Sequence, residues 1–316
     1  GDIMSVALSS ARYLSLALVL SACSAGSSDS GTDSSNTDGS NGSDGSGDDS
    51  STDGSDSSGL DGLDVDGNDG SMPPPSDECA SVIDVKFRDF KGGAEVGGHI
   101  DFEWASGAGH DGFKGDVVRV KLVAAELDAD RKPVFASSAG WGSNNPPAAE
   151  WEATTPVITS ATTFNQWYRT TADVNQEIDG VIELTETPVG SGKYVFDTAA
   201  FFPLDGQGFG NTPGFSHNYG FTTEGHIKFG YEAGQTFTFR GDDDLWIFVN
   251  GKLALDLGSL HDAKQSTIDF DAQAAALGIT PGKTYNMDFF HAERQTDGSN
   301  FRFETNIKCF VPVVVL

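Results

Sequence analysis

The sequence predicts an all-β sandwich or barrel with little helix, preceded by a disordered tether. Three observations carry that prediction. From Cys79 onward, Phe, Trp, Tyr, Val and Ile recur in short alternating runs. Gly, Asn, Asp and Pro separate those runs. Before Cys79 there is one apolar stretch near the start and then almost nothing that could be buried. Period-two alternation in short runs bounded by turn residues is the pattern of half-buried strands. The 316 residues would allow two domains by length, but this break in composition leaves one β-domain, residues 79–316.

Residues 1–22 read as a signal peptide of the lipoprotein type. Arg12 precedes the apolar run 13–20, which is too short to span a bilayer, and small residues follow. Leu20-Ser21-Ala22-Cys23 resembles a bacterial lipobox, in which the Cys becomes the lipid-bearing N-terminus. Lipidation at Cys23 with more than one acyl chain would give a stable anchor and the chain's one contact with a membrane. Ser24 resembles an outer-membrane address. The expected location is therefore outside the cytoplasm, at the outer membrane or cell surface by lipid anchor, or otherwise secreted.

Residues 23–78 form the expected linker, rich in Ser, Gly and Asp. Positions 24–78 hold 14 acidic residues and no Lys or Arg. Such a segment cannot bury enough apolar surface to offset its ordering entropy, and its charges repel one another. A calcium loop beginning at Asp64 fails, because its sixth position is Asp69 rather than Gly and its twelfth is Pro75 rather than Glu. The net charge of the whole chain is −28. That excludes a nucleic-acid binder, which needs a basic footprint to release phosphate counterions.

Strands are expected at 83–87, 117–123, 181–184, 236–240, 245–249, 285–290 and 300–307. A short helix is expected at 271–277, Ala-rich and ended by Gly278. Asn250-Gly251 is the strongest two-residue hairpin signal in the chain. After lipidation only Cys79 and Cys309 remain, at the two ends of the folded segment. In an exported protein such a pair reads as a disulfide.

Standard catalytic signatures are missing. There is no His-Glu-x-x-His, and Gly190-Ser191-Gly192-Lys193 lacks the flanking residues of a P-loop. The informative segment is Phe239-Arg240-Gly241-Asp242-Asp243-Asp244-Leu245-Trp246-Ile247-Phe248-Val249-Asn250-Gly251-Lys252. Three adjacent carboxylates repel each other, so they are expected in the loop between two strands. A hard divalent cation would relieve the repulsion, and Ca²⁺ takes several carboxylate and carbonyl oxygens at once.

This segment resembles the diagnostic core of the fibro-slime domain, found in bacterial surface proteins and amoebal secreted proteins. That domain is related to the protective-antigen-type (PA-fourteen) lectin domain, a β-barrel or sandwich. Ordered similarity continues through Val85-Lys86-Phe87-Arg88-Asp89-Phe90, Phe164-Asn165-Gln166-Trp167-Tyr168-Arg169, Phe201-Phe202-Pro203-Leu204-Asp205, His217-Asn218-Tyr219-Gly220, Asp256-Leu257-Gly258-Ser259-Leu260-His261 and Phe289-Phe290-His291-Ala292-Glu293-Arg294.

The resemblance implies a calcium site built on two consecutive Asp joined by a cis peptide, which binds sugar hydroxyls through the metal. Carried over, the pair is Asp243-Asp244, with Asp242 the alternative member. A later loop, 295–300, makes Asp297 and Asn300 further metal ligands, and Asn300 also a ligand-binding candidate. Trp246 flanks the acidic loop and is the best candidate among the tryptophans to stack on a sugar ring. Glu293 and Arg294 are expected to form an ion pair that orders this loop.

The function expected is calcium-dependent binding of a carbohydrate or surface polymer, in adhesion, and not an enzyme activity. Two alternatives are a matrix or protein-interaction module with a stabilising calcium, and a glycoside hydrolase. The oligomeric state stays open.

Overall fold

The structure is a computed structural model that describes residues 81–102, 117–144, 149–296 and 298–313. All of them fall within one unit, Gly62–Leu316. The expected signal peptide, Cys23, the linker, Cys79 and Asp297 lie outside the described residues.

Antiparallel β-structure dominates. The first sheet has seven strands in the order β11 (Lys252–Leu257), β10 (Asp244–Val249), β13 (Lys283–Glu293), β8 (Phe221–Tyr231), β1 (Val82–Phe90) and β5 (Asn175–Glu183), with β15 (Val311–Pro312) also on β8. The second has five, in the order β12 (Lys264–Asp269), β9 (Thr236–Gly241), β14 (Phe301–Thr305), β7 (Tyr194–Thr198) and β6 (Thr185–Glu186). A third small sheet joins β2 (Val118–Val120), β3 (Trp141–Ser143) and β4 (Glu150–Glu152).

Alternation decides which residues meet. Val85 and Phe87 of β1, Ile227 and Phe229 of β8, Ile247 of β10 and Phe289 of β13 share one buried cluster with Phe237, Phe239, Phe301 and Phe303 of the second sheet. That cluster is the sandwich core. The opposite face of the first sheet is covered over part of its area by the long connection between β1 and β5. There Phe90, Trp246, Phe248, Phe290 and Ala292 pack with Phe102, Leu122, Val157, Phe164, Trp167 and Tyr168 in a second core. Every residue of β10 is consequently buried. A strand covered on both faces loses the polar half of its alternation.

Local signals held where the turn chemistry is strict. Asn250 and Gly251 take left-handed φ of 53° and 74° and join β10 to β11 as a two-residue hairpin. The one expected helix, 271–277, is α2 (Phe270–Leu277): Asp269 accepts from the Ala272 N–H at its start, and Gly278 ends it at φ 71°. A four-residue helix, α1 (Ala161–Phe164), was not foreseen. Its Ser160–Thr163 reciprocal cap lacks the Glu or Gln that marks a capping box in sequence.

Five connections emerge at one end of the sandwich. β1 ends at Phe90 beside the start of β8 at Phe221, and Phe221 faces Glu293 at the end of β13. Asp244, the first residue of β10, faces Ala292. Gly241, the last residue of β9, faces Phe301, the first of β14, which in turn faces Thr198, the last of β7. The connection that follows Phe90 and the loops 199–220, 242–243, 258–263 and 294–300 all start or finish here.

Candidate functional site

The acidic triplet sits at this end, and the structure divides it. Asp242 and Asp243 form the turn between β9 and β10 and are joined by a cis peptide bond. The cis bond thus falls on Asp242–Asp243, which brings in the alternative member Asp242, and not on the first-choice pair Asp243–Asp244. Asp244 is not in the loop at all: it opens β10.

Asp242 is tied to Asn300 three times. Its Oδ1 accepts from the Asn300 backbone N–H at 2.6 Å, its Oδ2 from Asn300 Nδ2 at 2.7 Å, and its own N–H donates to the Asn300 carbonyl at 3.3 Å. The Asp242 carbonyl accepts from His291 Nε2 at 2.8 Å. The sequence-distant Asn300 thus lies against Asp242. Asp243 is held more loosely, by the backbone N–H of Arg294 at 3.1 Å and of His261 at 3.4 Å.

Asp244 does different work. Strand alternation turns it to the other face, where its Oδ2 accepts from Arg294 Nε at 2.7 Å and its Oδ1 from the Ser259 N–H at 2.6 Å. Arg294 Nη1 donates to the carbonyls of Asp101 and Val157, and its guanidinium lies 4.7 Å from the Trp167 ring centroid. Asp244 thus gives one oxygen to Arg294, which clasps the β1–β5 connection to the sheet, and the other to the loop that follows β11. The same geometry corrects the expected Glu293–Arg294 ion pair. Successive residues leaving a strand point to opposite faces, so Arg294 meets Asp244 while Glu293 turns toward Asp243.

Trp246 is also corrected. It is fully buried in the second core, and its Nε1 donates to Asp256 Oδ1 at 3.0 Å. Its ring meets Phe164 and Trp167 rather than solvent. Its place in the sequence beside the acidic loop could not reveal which face it takes.

Burial and the mutual repulsion of neighbouring acids set the electrostatics of the site. Burial holds the Asp243 carboxyl well above its usual range, and the neighbouring Asp244 and Asp242 charges add to this against the opposing Arg294. Burial also raises Asp242, partly offset by its bonds from Asn300. Glu293 is raised strongly by burial and then by Asp243 and Asp242, and its Oε2 has no hydrogen-bond partner. Burial lowers His261, whose Nε2 is likewise unpartnered, and takes His291 down to about 4. His261, His291 and Glu293 are the site residues for which the sequence carried no ligand signal beyond the family pattern.

These groups fit a hard cation by donor chemistry. Asp242 and Asp243 offer two adjacent buried carboxylates, and Asn300 brings a side-chain carbonyl. Among the described residues, no three His, Cys, Asp or Glu side chains form a cage by themselves. A cation here would need Asn300, backbone carbonyls and water to complete its shell.

Residues 205–309 match the PA14 domain. Protein psiQ of Dictyostelium discoideum is 38% identical over 183 residues, which are 54% of this chain and 18% of psiQ. Protein psiH of the same organism is 41% identical over 128 residues, 38% of this chain and 17% of psiH. The chain therefore spans less than a fifth of either relative. A solved PA14 sugar-binding domain from an RTX adhesin shows 15% identity over 28% of this chain and 47% of that one, with a TM-score of 0.20, too slight a likeness to bear on the fold. The chain is thus similar to psi proteins of Dictyostelium discoideum, and residues 205–309, which hold Asp242, Asp243, Glu293 and Asn300, carry its match to the PA14 domain.

Proposed function

We propose that this chain is a non-enzymatic carbohydrate-binding module for adhesion, in which Asp242, Asp243 and Asn300 hold a Ca²⁺ ion that in turn meets sugar hydroxyls. The observation that carries this is the joining of Asn300 to a buried pair of adjacent carboxylates. The PA14 match over 205–309 supports a sugar-binding or adhesive role. When bound, calcium would supply charge compensation and open coordination positions for a diol. The protein's part is to hold the two carboxylates at one end of a rigid sandwich and to keep Asp244 out of the site through Arg294.

The wider architecture belongs to the same proposal. It comprises a signal peptide over 1–22, a lipid anchor on Cys23, a disordered spacer over 23–78 and a folded domain over 79–316, displayed at the cell surface. A Cys79–Cys309 bond would close the domain. The bonded state of Cys309 supports it, as does the edge of β8, where β1 gives way to β15.

The test is a thermal melt of the full chain in excess EDTA and in millimolar calcium, followed by a glycan array in both conditions. The reading predicts a calcium-dependent rise and calcium-dependent glycan retention. A rise without retention of any glycan would favour the matrix module with a stabilising ion. No rise would remove the metal.

A further inference from the structure

We infer that the loop 199–220 is a stacking platform that receives the C–H face of a sugar ring at the same end of the sandwich as the Asp242–Asp243 pair, with Phe215 as its exposed contact. This rests on the carbohydrate reading above and adds to it a second contact of different chemistry.

The first observation is position. Ser299 and Asn300 lie between the acidic pair and this loop. Asn300 bonds Asp242 on one side, while the Ser299 carbonyl accepts from the Phe201 N–H at 3.0 Å and Ser299 Oγ donates to the Phe201 carbonyl at 2.8 Å on the other. Phe202 is the next residue along the chain, so the platform begins one residue beyond the site's own scaffold.

The second is an aromatic cluster at the surface. The Phe202 and His217 rings stack at 4.0 Å with 8° between their planes. Tyr219 meets Phe202 edge-on at 5.0 Å and Phe215 at 5.8 Å. Phe215 is 49% exposed, among the most exposed large apolar side chains of the domain. A loop that bonds its own polar groups so fully yet leaves a phenyl ring in water presents that ring to something apolar and flat.

The third is rigidity. Asp89, fully buried under the loop, accepts from Asn218 Nδ2 at 2.7 Å and from the Phe209 N–H. Asp205 accepts from the Asn218 N–H at 2.9 Å and meets His217 Nδ1 at 2.6 Å. Asn211 accepts from the Gly206 N–H at 2.7 Å and donates to the Ser216 carbonyl at 2.6 Å. A surface already ordered loses little freedom on binding. The patch is also small, one half-exposed ring with partly covered neighbours, whereas a stable protein partner needs about 800 Å² on each side. An oligosaccharide offers diol edges for a metal and apolar ring faces for a phenyl group, which matches the two features at this end of the sandwich.

The experiment uses the full chain in millimolar calcium. A printed array of neutral and acidic oligosaccharides selects the best-retained glycan, which is then titrated against wild type, Phe215→Ala and Phe215→Trp. The expected result is a loss of about fivefold to tenfold in F215A, the size of one aromatic contact, with affinity kept in F215W. Both variants should keep the wild-type calcium-dependent melting shift. Equal affinity in wild type and F215A would overturn the platform while leaving the carbohydrate reading intact. Equal losses in F215A and F215W would also overturn it, since a stacking contact accepts the larger ring. Retention of no glycan by wild type would overturn platform and carbohydrate reading together.

Discussion

Asp244 and Arg294 meet at 2.7 Å with neither side chain exposed to solvent. Fifty residues separate them, and their bond joins β10, the end of β13 and the β1–β5 connection at one point. Asp242 and Asp243, its immediate neighbours in sequence, face the candidate cation site instead.

This division predicts opposite behaviour for adjacent residues. Asp244→Ala leaves a buried guanidinium without its partner, a class of change that costs about 3–5 kcal/mol. The loss should appear in urea unfolding with excess EDTA, because it does not depend on calcium. A D244A protein as stable as wild type would refute the clasp.

Asp243→Ala should instead cost little without metal, since it removes a carboxylate that burial and two neighbouring acids already disfavour. What it should abolish is the calcium response. A ligand at 100 times its Kd adds about 2.7 kcal/mol when it binds only the folded state. Melting curves in EDTA and in calcium for D243A and for Asn300→Ala test this, and an undiminished shift in both would reassign the ion.

Asp256 gives a pH signature away from that site. Burial pushes its carboxyl up to about 7, against bonds from the Lys121 N–H and Trp246 Nε1, with Asp244 and Glu150 adding to the rise. A folded-state value above the unfolded one means the proton favours folding. The stabilisation is full below about pH 4, the unfolded carboxylate range, and is lost as pH climbs through 7. Denaturation midpoints between pH 4.5 and about 7.5 should therefore fall with a component that Asp256→Asn removes. An unchanged slope in the variant would assign the dependence to other groups.

Gly208 tests how the 199–220 loop is held. Its φ is +55°, and a Cβ there would come within 2.1 Å of Asp89 Oδ2. Gly208→Ala should destabilise by about 1–3 kcal/mol through backbone strain and displacement of a buried carboxylate. Gly206→Ala shares the positive φ of +69° but meets nothing within 4 Å, so it should cost less. Equal costs in urea would mean that the Asp89 contact does not hold the loop.

Features set by neighbours in sequence were legible in sequence. Period-two alternation announced the β-class, Asn250-Gly251 the hairpin and Gly278 the end of α2, because each depends on the conformational limits of a few adjacent residues. The acidic run and Asn300 were also marked as belonging to one site. Which aspartates serve it was not legible. That choice depends on which face each residue takes and on what lies opposite: Asn300 across β9 and β14, or Arg294 across β10 and β13. Trp246 shows the same limit, since a strand buried on both faces carries no alternation to say that its ring points into a second core. Sequence by itself determined the kind of fold and the segment that carries the charge. Tertiary structure alone decided the role of each carboxylate, because a side chain turned by one residue meets a different face and a partner some fifty residues away.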